Sequence, residues 1–172
     1  MALRNIVKRG DPVLEKSCRE VTDFDQRLHT LLDDMRETVF HANGVGLAAP
    51  QVGVLRRVAL VIETNVAEGE EEKIIELVNP VILEEEGEQE GVEGCLSVPG
   101  LVGMVTRPKK VRVRAQNRNG KWFEVQGEGL TARAFCHELE HLDGKLYTRL
   151  CDTLYDPDDL PELAELDETE SE

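Results

Sequence analysis

The segment His137-Glu138-Leu139-Glu140-His141 carries the plainest chemistry in the chain. Histidines four residues apart lie on one face of a helix, one turn from each other, so both imidazoles can reach a single metal ion. The glutamate after the first histidine then stands beside a metal-bound water, where it can act as general base. Leu130 and Ala134 fall on the same helix face, seven and three residues before His137. They would line the site with apolar groups that exclude water and strengthen its electrostatics.

A reactive metal centre of this kind wants three protein ligands and one open position. Cys136 adjoins His137 but is turned away by about 100° around the helix axis, and Glu140 also leaves that face. Cys95 sits in Glu93-Gly94-Cys95-Leu96-Ser97, after an extended stretch and before Pro99. Gly94 lets the main chain approach closely, and a thiolate at Cys95 is a sound third ligand, although a cysteine taken alone is more often a small core residue. A further cluster is Gly44-Val45-Gly46-Leu47-Ala48-Ala49-Pro50-Gln51. Its small residues let main-chain groups come close to a ligand, and the Gln51 amide can donate to a developing oxyanion. The glycines lack the preceding strand and following helix that a dinucleotide-binding loop requires.

These segments need elements to hold them. Leu28, Leu31, Leu32, Met35, Val39 and Phe40 recur at helical spacing and predict a helix over residues 23–43, stopped by Asn43-Gly44. Residues 1–21 read as an extended arm with a turn at Gly10-Asp11-Pro12. Residues 58–62 form a short β-branched run, a buried strand, and residues 74–83 a second strand interrupted at Asn79-Pro80. Residues 84–93 read as a polar, extended sheet edge, and residues 111–114 as a half-exposed strand. Arg118-Asn119-Gly120-Lys121 predicts a hairpin through a type I′ turn, with residues 122–125 returning. A second helix is expected over 129–143, closed by Asp143-Gly144, and a short third one over 160–167. Helices flanking a run of strands argue α+β rather than alternating α/β, with an N-terminal helix and a C-terminal helix that carries the histidines. The expected domain organisation is one catalytic domain over 1–151 and an acidic tail over 152–172.

Composition bounds the function classes. Of 172 residues, 40% are hydrophobic and 32% charged, ordinary for a soluble globular chain. No apolar run approaches the roughly 20 residues of a membrane span, and the N-terminus lacks the apolar core of a signal peptide. A cytoplasmic protein with no membrane partner is expected, and its four cysteines are then free or metal-bound rather than paired. The net charge of −15 is concentrated: residues 63–91 hold eleven acids and one base, and residues 152–172 hold ten acids and no base. Such acidity speaks against specific nucleic-acid binding.

Taken together and in order, GVGLAAPQ at 44–51, EGCLS at 93–97 and HELEH at 137–141 resemble the three motifs of the peptide deformylase family. The Gly10–Leu14 turn, Arg107-Pro108 and His141-Leu142-Asp143-Gly144 extend the likeness over residues 4–150. The resemblance implies an α+β fold with antiparallel strands packed around the C-terminal helix that carries the histidines, and removal of the formyl group from the N-terminal formyl-methionine of nascent peptides, with release of formate. It makes Cys95, His137 and His141 the metal ligands and Glu138 the general acid/base acting on a metal-bound water. Gln51 and the Leu96 backbone N–H become the oxyanion donors, and Val45, Gly46, Leu130 and Ala134 the substrate contacts. It implies one divalent ion, Fe²⁺ first, with Zn²⁺, Ni²⁺ and Co²⁺ as known alternatives, and transient contact with the ribosome. This chain departs from the family at Glu140, usually Asp, and at Cys136, usually Gln, and in its acidic tail where some members end in a basic ribosome-docking helix. Ribosome docking is therefore expected to use a basic surface around Arg107 to Arg118. A thermolysin-type peptidase shares His137, Glu138 and His141 but expects a downstream ligand, and no histidine follows position 141. A scaffold that binds metal or peptide without catalysis would be expected to have lost Glu138 or Gln51, and both are present.

Overall fold

The computed structural model describes residues 2–63 and 66–159; the helix expected at 160–167 lies outside them. An extended arm leads into α1 (Gln26–His41). The strands follow: β1 (Gly46–Ala48), β2 (Val58–Glu63), β3 (Lys73–Glu86), β4 (Gln89–Cys95), β5 (Val98–Arg107), β6 (Lys110–Gln116) and β7 (Trp122–Glu128). The second helix, α2 (Leu130–Leu142), closes the core. Five strands form an antiparallel sheet in the order β1-β2-β3-β6-β7, and β4 and β5 form a separate antiparallel ribbon.

Side-chain alternation along β2 explains why both helices are needed. Val58, Leu60 and Ile62 meet Leu28, Leu31, Leu32, Met35 and Val39 of α1. Val61 faces the other way, and with Leu77, Val111, Val113 and Ala115 it packs on Ala132, Phe135, Cys136 and Leu139 of α2. The strand is buried on both faces, which is why it reads as an unbroken apolar run. Helix α2 thus lies between the sheet and the β4–β5 ribbon and presents its remaining face to the ribbon. Asp25 caps α1 by accepting the Leu28 N–H at 3.2 Å, and Asn43, at φ 55°, ends its last turn where the sequence placed the stop.

Several expectations need correction. The interruption at Asn79-Pro80 does not end the strand. It is a bulge inside β3, with Asn79 at φ 50° and the register shifting between Val78 and Val81. Asn79 makes the irregularity useful by exchanging two hydrogen bonds with the Val21 backbone, at 2.8 and 2.9 Å. Residues 84–93 are divided between the end of β3 and the start of β4 rather than forming one edge. The hairpin at 118–121 is not type I′: Asn119 lacks a positive φ, Gly120 alone has one (85°), and Gly120 N–H bonds the Asn117 carbonyl at 3.0 Å. This is a type I turn with a glycine bulge, favoured because Asn117 Oδ1 accepts from the Asn119 and Lys121 N–H groups. Strand β5 went unseen because Pro99, Gly100 and Gly103 weaken its strand signature.

The basic segment from Arg107 to Arg118 is neutralised in part, while Lys109 and Arg114 are exposed with no acidic partner among the described residues, Arg114 lying over the Trp122 ring at 4.4 Å. Arg107 is buried, Arg112 meets Glu84 and Glu124, and Arg118 meets Asp33 and Glu76, while Lys110 reaches Glu128. Cross-strand pairing brings β6 cations against β3 and β7 acids, a neutralisation that the linear sequence does not display. No helix among the described residues is long and apolar enough to cross a membrane.

Candidate metal centre and cleft

Helix α2 delivers His137 and His141 to the face turned toward the ribbon, one turn apart, with their Nε2 atoms 3.2 Å from each other. The end of β4 delivers Cys95, whose Sγ lies 3.3 Å from His141 Nε2. The three potential ligand atoms all lie within 4.8 Å of one another. Two ring nitrogens and a sulfur at such distances oppose one another through their lone pairs unless a proton or a cation stands between them. Bonds of about 2.0–2.3 Å around a tetrahedral ion put its ligand atoms about 3.3–3.6 Å apart, so this set fits a single divalent metal. Cys136 points into the core against the sheet and Glu140 is held by Arg107 and Arg149, so neither joins the cluster.

Glu138 is buried against the same centre. Its Oε1 is 3.6 Å from His137 Nε2, and its Oε2 is enclosed without a hydrogen-bond partner. Burial pushes its carboxyl up to about 7, the His137 charge working against that and Glu93 with it. Gly46 is what lets β1 pass so near: a Cβ there would lie 2.9 Å from Glu138 Cγ and 3.1 Å from the Leu60 carbonyl. Gln51 is buried in the short helical turn after β1. Its Oε1 accepts the Ala48 N–H at 2.9 Å, and its Nε2 donates to Ser97 Oγ at 3.1 Å and toward Cys95 Sγ at 3.4 Å. The Leu96 N–H, in the turn between β4 and β5, donates to no protein acceptor among the described residues.

A cavity of about 230 Å³ opens beside the centre. Val45, Gly46, Gln51, Cys95, Leu96, Leu130, Ala134, His137 and Glu138 all line it, with Val45 and Leu130 at its exposed rim. His141 lies behind the cavity wall and is fully buried. A wider surface cleft, between the N-terminal arm and α1, contains none of these residues.

Sequence reasoning missed the groups behind the histidines. Glu93 is 5% exposed and accepts from His137 Nδ1 at 2.7 Å, which turns the opposite ring nitrogen toward Cys95 and His141. Arg107 grips Glu93 through Nε and Nη2, at 3.0 and 2.7 Å, and Arg133 reaches it at 3.2 Å. Burial opposes ionisation of Glu93, but the hydrogen bonds from His137 and Arg107 outweigh it and hold the carboxyl at about 2. Burial likewise works against charge on His137, yet the Cys95 and Glu93 partners hold it well above its ordinary value. His141 is driven down to about 3 by burial and then by the neighbouring His137 charge. One signal could have found Glu93: it precedes Cys95 by two in a strand and so shares its face.

The comparisons agree with the site. Residues 3–155 match the family model described as polypeptide deformylase. The chain is 54% identical over 147 residues to the peptide deformylase of Agathobacter rectalis, covering 86% of this chain and 89% of that one. It is 50% identical over 160 residues to that of Acetivibrio thermocellus, covering 93% and 90%. Among solved structures, the peptide deformylase of Thermotoga maritima superposes with a TM-score of 0.82 at 37% identity, over 89% of this chain and all of that one. That of Thermus thermophilus gives 0.79 at 42% identity, over 86% and 84%. The chain belongs to the polypeptide deformylase family.

Proposed function

We propose that this chain performs its family's reaction, hydrolysis of the N-terminal formyl group of formyl-methionyl nascent peptides, at the Cys95–His137–His141 centre. The bond cleaved is the formyl C–N bond; water supplies one of the two oxygens of formate, the other being the formyl oxygen, and the proton returned to the amine. The observation that carries this reading is the convergence of three ligand atoms beside a buried, unpartnered Glu138 oxygen at the wall of an apolar cavity. A divalent ion held by Cys95, His137 and His141 supplies Lewis acidity, lowering the pKa of a bound water and polarising the formyl oxygen.

Glu138 takes the proton from the attacking water and later delivers it to the leaving amine, and a carboxyl near 7 suits both transfers. Gln51 Nε2 and the Leu96 N–H donate to the oxygen as it becomes anionic. Val45, Leu130 and Ala134 hold the methionine side chain. Gly46, on the outer edge of β1, offers its main chain to the substrate backbone. We take iron as the working metal; a sulfur and two imidazoles also suit zinc, nickel and cobalt. Because the substrate is made on ribosomes, we place the reaction in the cytoplasm with transient ribosome contact, for which the exposed Lys109 and Arg114 of the 107–118 segment offer positive charge.

The test is formate release from formyl-Met-Ala-Ser by protein purified anaerobically with iron, then chelated, then reloaded with iron or zinc. Formate should appear, vanish on chelation and return on reloading. A folded, metal-loaded protein that releases none overturns the reading.

A further inference from the structure

The cavity lining includes an arginine with no proton-transfer or oxyanion role in the hydrolysis. Arg133 stands one turn before His137 on α2 and is only 6% exposed. Its Nη1 donates to Glu93 Oε1 at 3.2 Å and to the Val105 carbonyl at 3.0 Å. Its Nε and Nη2 donate to no acceptor among the described residues, and neither is among the fully enclosed unpartnered atoms. The space for Nη2 comes from Gly91, where a Cβ would lie 3.0 Å away. Arg133 lines the same cavity as Val92, Leu130 and Ala134.

A guanidinium is a poor wall for a thioether. A methionine side chain that fills the cavity displaces water from those N–H groups and gives back only a weakly accepting sulfur. A side chain of the same length that ends in a strong acceptor would pair them. Methionine sulfoxide keeps the methionine skeleton and adds one such oxygen. An apolar pocket would reject that oxygen, because burying it without a donor is unfavourable.

We propose that Arg133 makes the side-chain pocket a site for formyl-methionine sulfoxide as well as formyl-methionine, its free N–H groups donating to the sulfoxide oxygen. Peptides whose first residue has been oxidised are then still deformylated. The proposal rests on the deformylase reading above. The sulfur is neither oxidised nor reduced; the only bond cleaved is the formyl C–N bond, with water as co-reactant.

The experiment uses the metal-loaded enzyme with formyl-Met-Ala-Ser and its sulfoxide counterpart, each sulfoxide epimer separately, and reads kcat and KM. In the parent protein the better epimer should have a kcat/KM within about tenfold of the thioether, where a purely apolar pocket discriminates by about 100-fold. Arg133→Met should lower the sulfoxide-to-thioether ratio by about tenfold or more, chiefly through KM for the sulfoxide, and Arg133→Lys should restore part of it. Gly91→Ala keeps the charge but crowds Nη2, and should lower the ratio in the same direction. It decides the matter if Arg133→Met does not fold. Discrimination of about 100-fold in the parent, or equal losses on both substrates in Arg133→Met, overturns the proposal and leaves Arg133 as a support for Glu93. If neither formyl peptide is hydrolysed, the deformylase reading has failed separately. Calorimetry with the two intact peptides then tests the pocket: sulfoxide binding as tight as thioether binding supports the proposal, and no sulfoxide binding overturns it.

Discussion

Arg107 and Arg112 lie five positions apart on consecutive strands, and each meets two carboxylates. Arg107 is 4% exposed and holds Glu93 and Glu140, with contacts of 2.7 Å to each. Arg112, with a side chain 38% exposed, holds Glu84 at 2.7 Å and Glu124 at 3.6 Å. The shortest distances are alike; the surroundings are not. On the surface, water screens the pair and the side chains lose freedom in forming it, so its net worth is about 0–1 kcal/mol. In the interior each charge has given up its hydration, and the set holds only while every partner is present; removing one costs about 3–5 kcal/mol. What the buried set delivers is direction. Arg107 and Arg133 orient Glu93, and Glu93 orients the His137 ring toward Cys95 and His141. The β6 pairs neutralise a surface and orient nothing.

The comparison can be broken or sharpened by experiment. The largest effect should come from Glu138→Gln, which keeps the side chain's volume and removes the proton acceptor. Turnover should fall by about 10²–10⁴-fold with metal content per chain unchanged; retained turnover would remove Glu138 from the proton-transfer role. Glu93→Ala leaves buried Arg107 with Glu140 alone and Arg133 with only the Val105 carbonyl, and frees the His137 ring. Unfolding in urea should show a loss of about 3–5 kcal/mol, and metal titration an affinity lowered by about 10–100-fold. A loss no larger than that of a surface pair would place Glu93 with the β3 and β7 acids that face the β6 cations. The pH dependence follows from Glu138, whose carboxyl sits at about 7 because burial favours the neutral form. As pH falls through that value the base becomes protonated and formate release should decline; a rate unchanged across it would assign proton transfer elsewhere. The smallest effect should be that of Arg112→Ala, about 0–1 kcal/mol with formate release unaltered. A loss matching that of Glu93→Ala would erase the distinction between the two arginines.

Much of the centre was legible in the sequence because its core is local. His137, Glu138 and His141 owe their geometry to a single helical turn, and the apolar spacing of α1 and the run of β2 are likewise local patterns. Cys95 and Gln51 were legible as residue types in unusual settings, small residues around one thiol and one amide. The Glu93–Arg107–Arg133 set was not, because its members are separated by 14 and 40 residues and meet only when the ribbon folds over α2. The hairpin turn was placed correctly but given the wrong type, since Asn117, just outside the dipeptide that signalled it, decides the geometry. The basic run over β6 was legible as charge but its partial neutralisation was not: strand pairing set acids from β3 and β7 against Lys110 and Arg112 and left Arg114 exposed.

By itself, then, the sequence determined which groups can bind a metal, accept a proton or donate to an oxyanion, and the helical spacing that brings two histidines to one ion. Residue chemistry and the pitch of a helix need no tertiary context. Only the tertiary structure decided which of many carboxylates steers the imidazole. It alone decided which arginine lines the cavity with N–H groups left without an acceptor. Those choices depend on burial and on directional hydrogen bonds between distant strands, and neither exists until the ribbon, the helix and the sheet have packed.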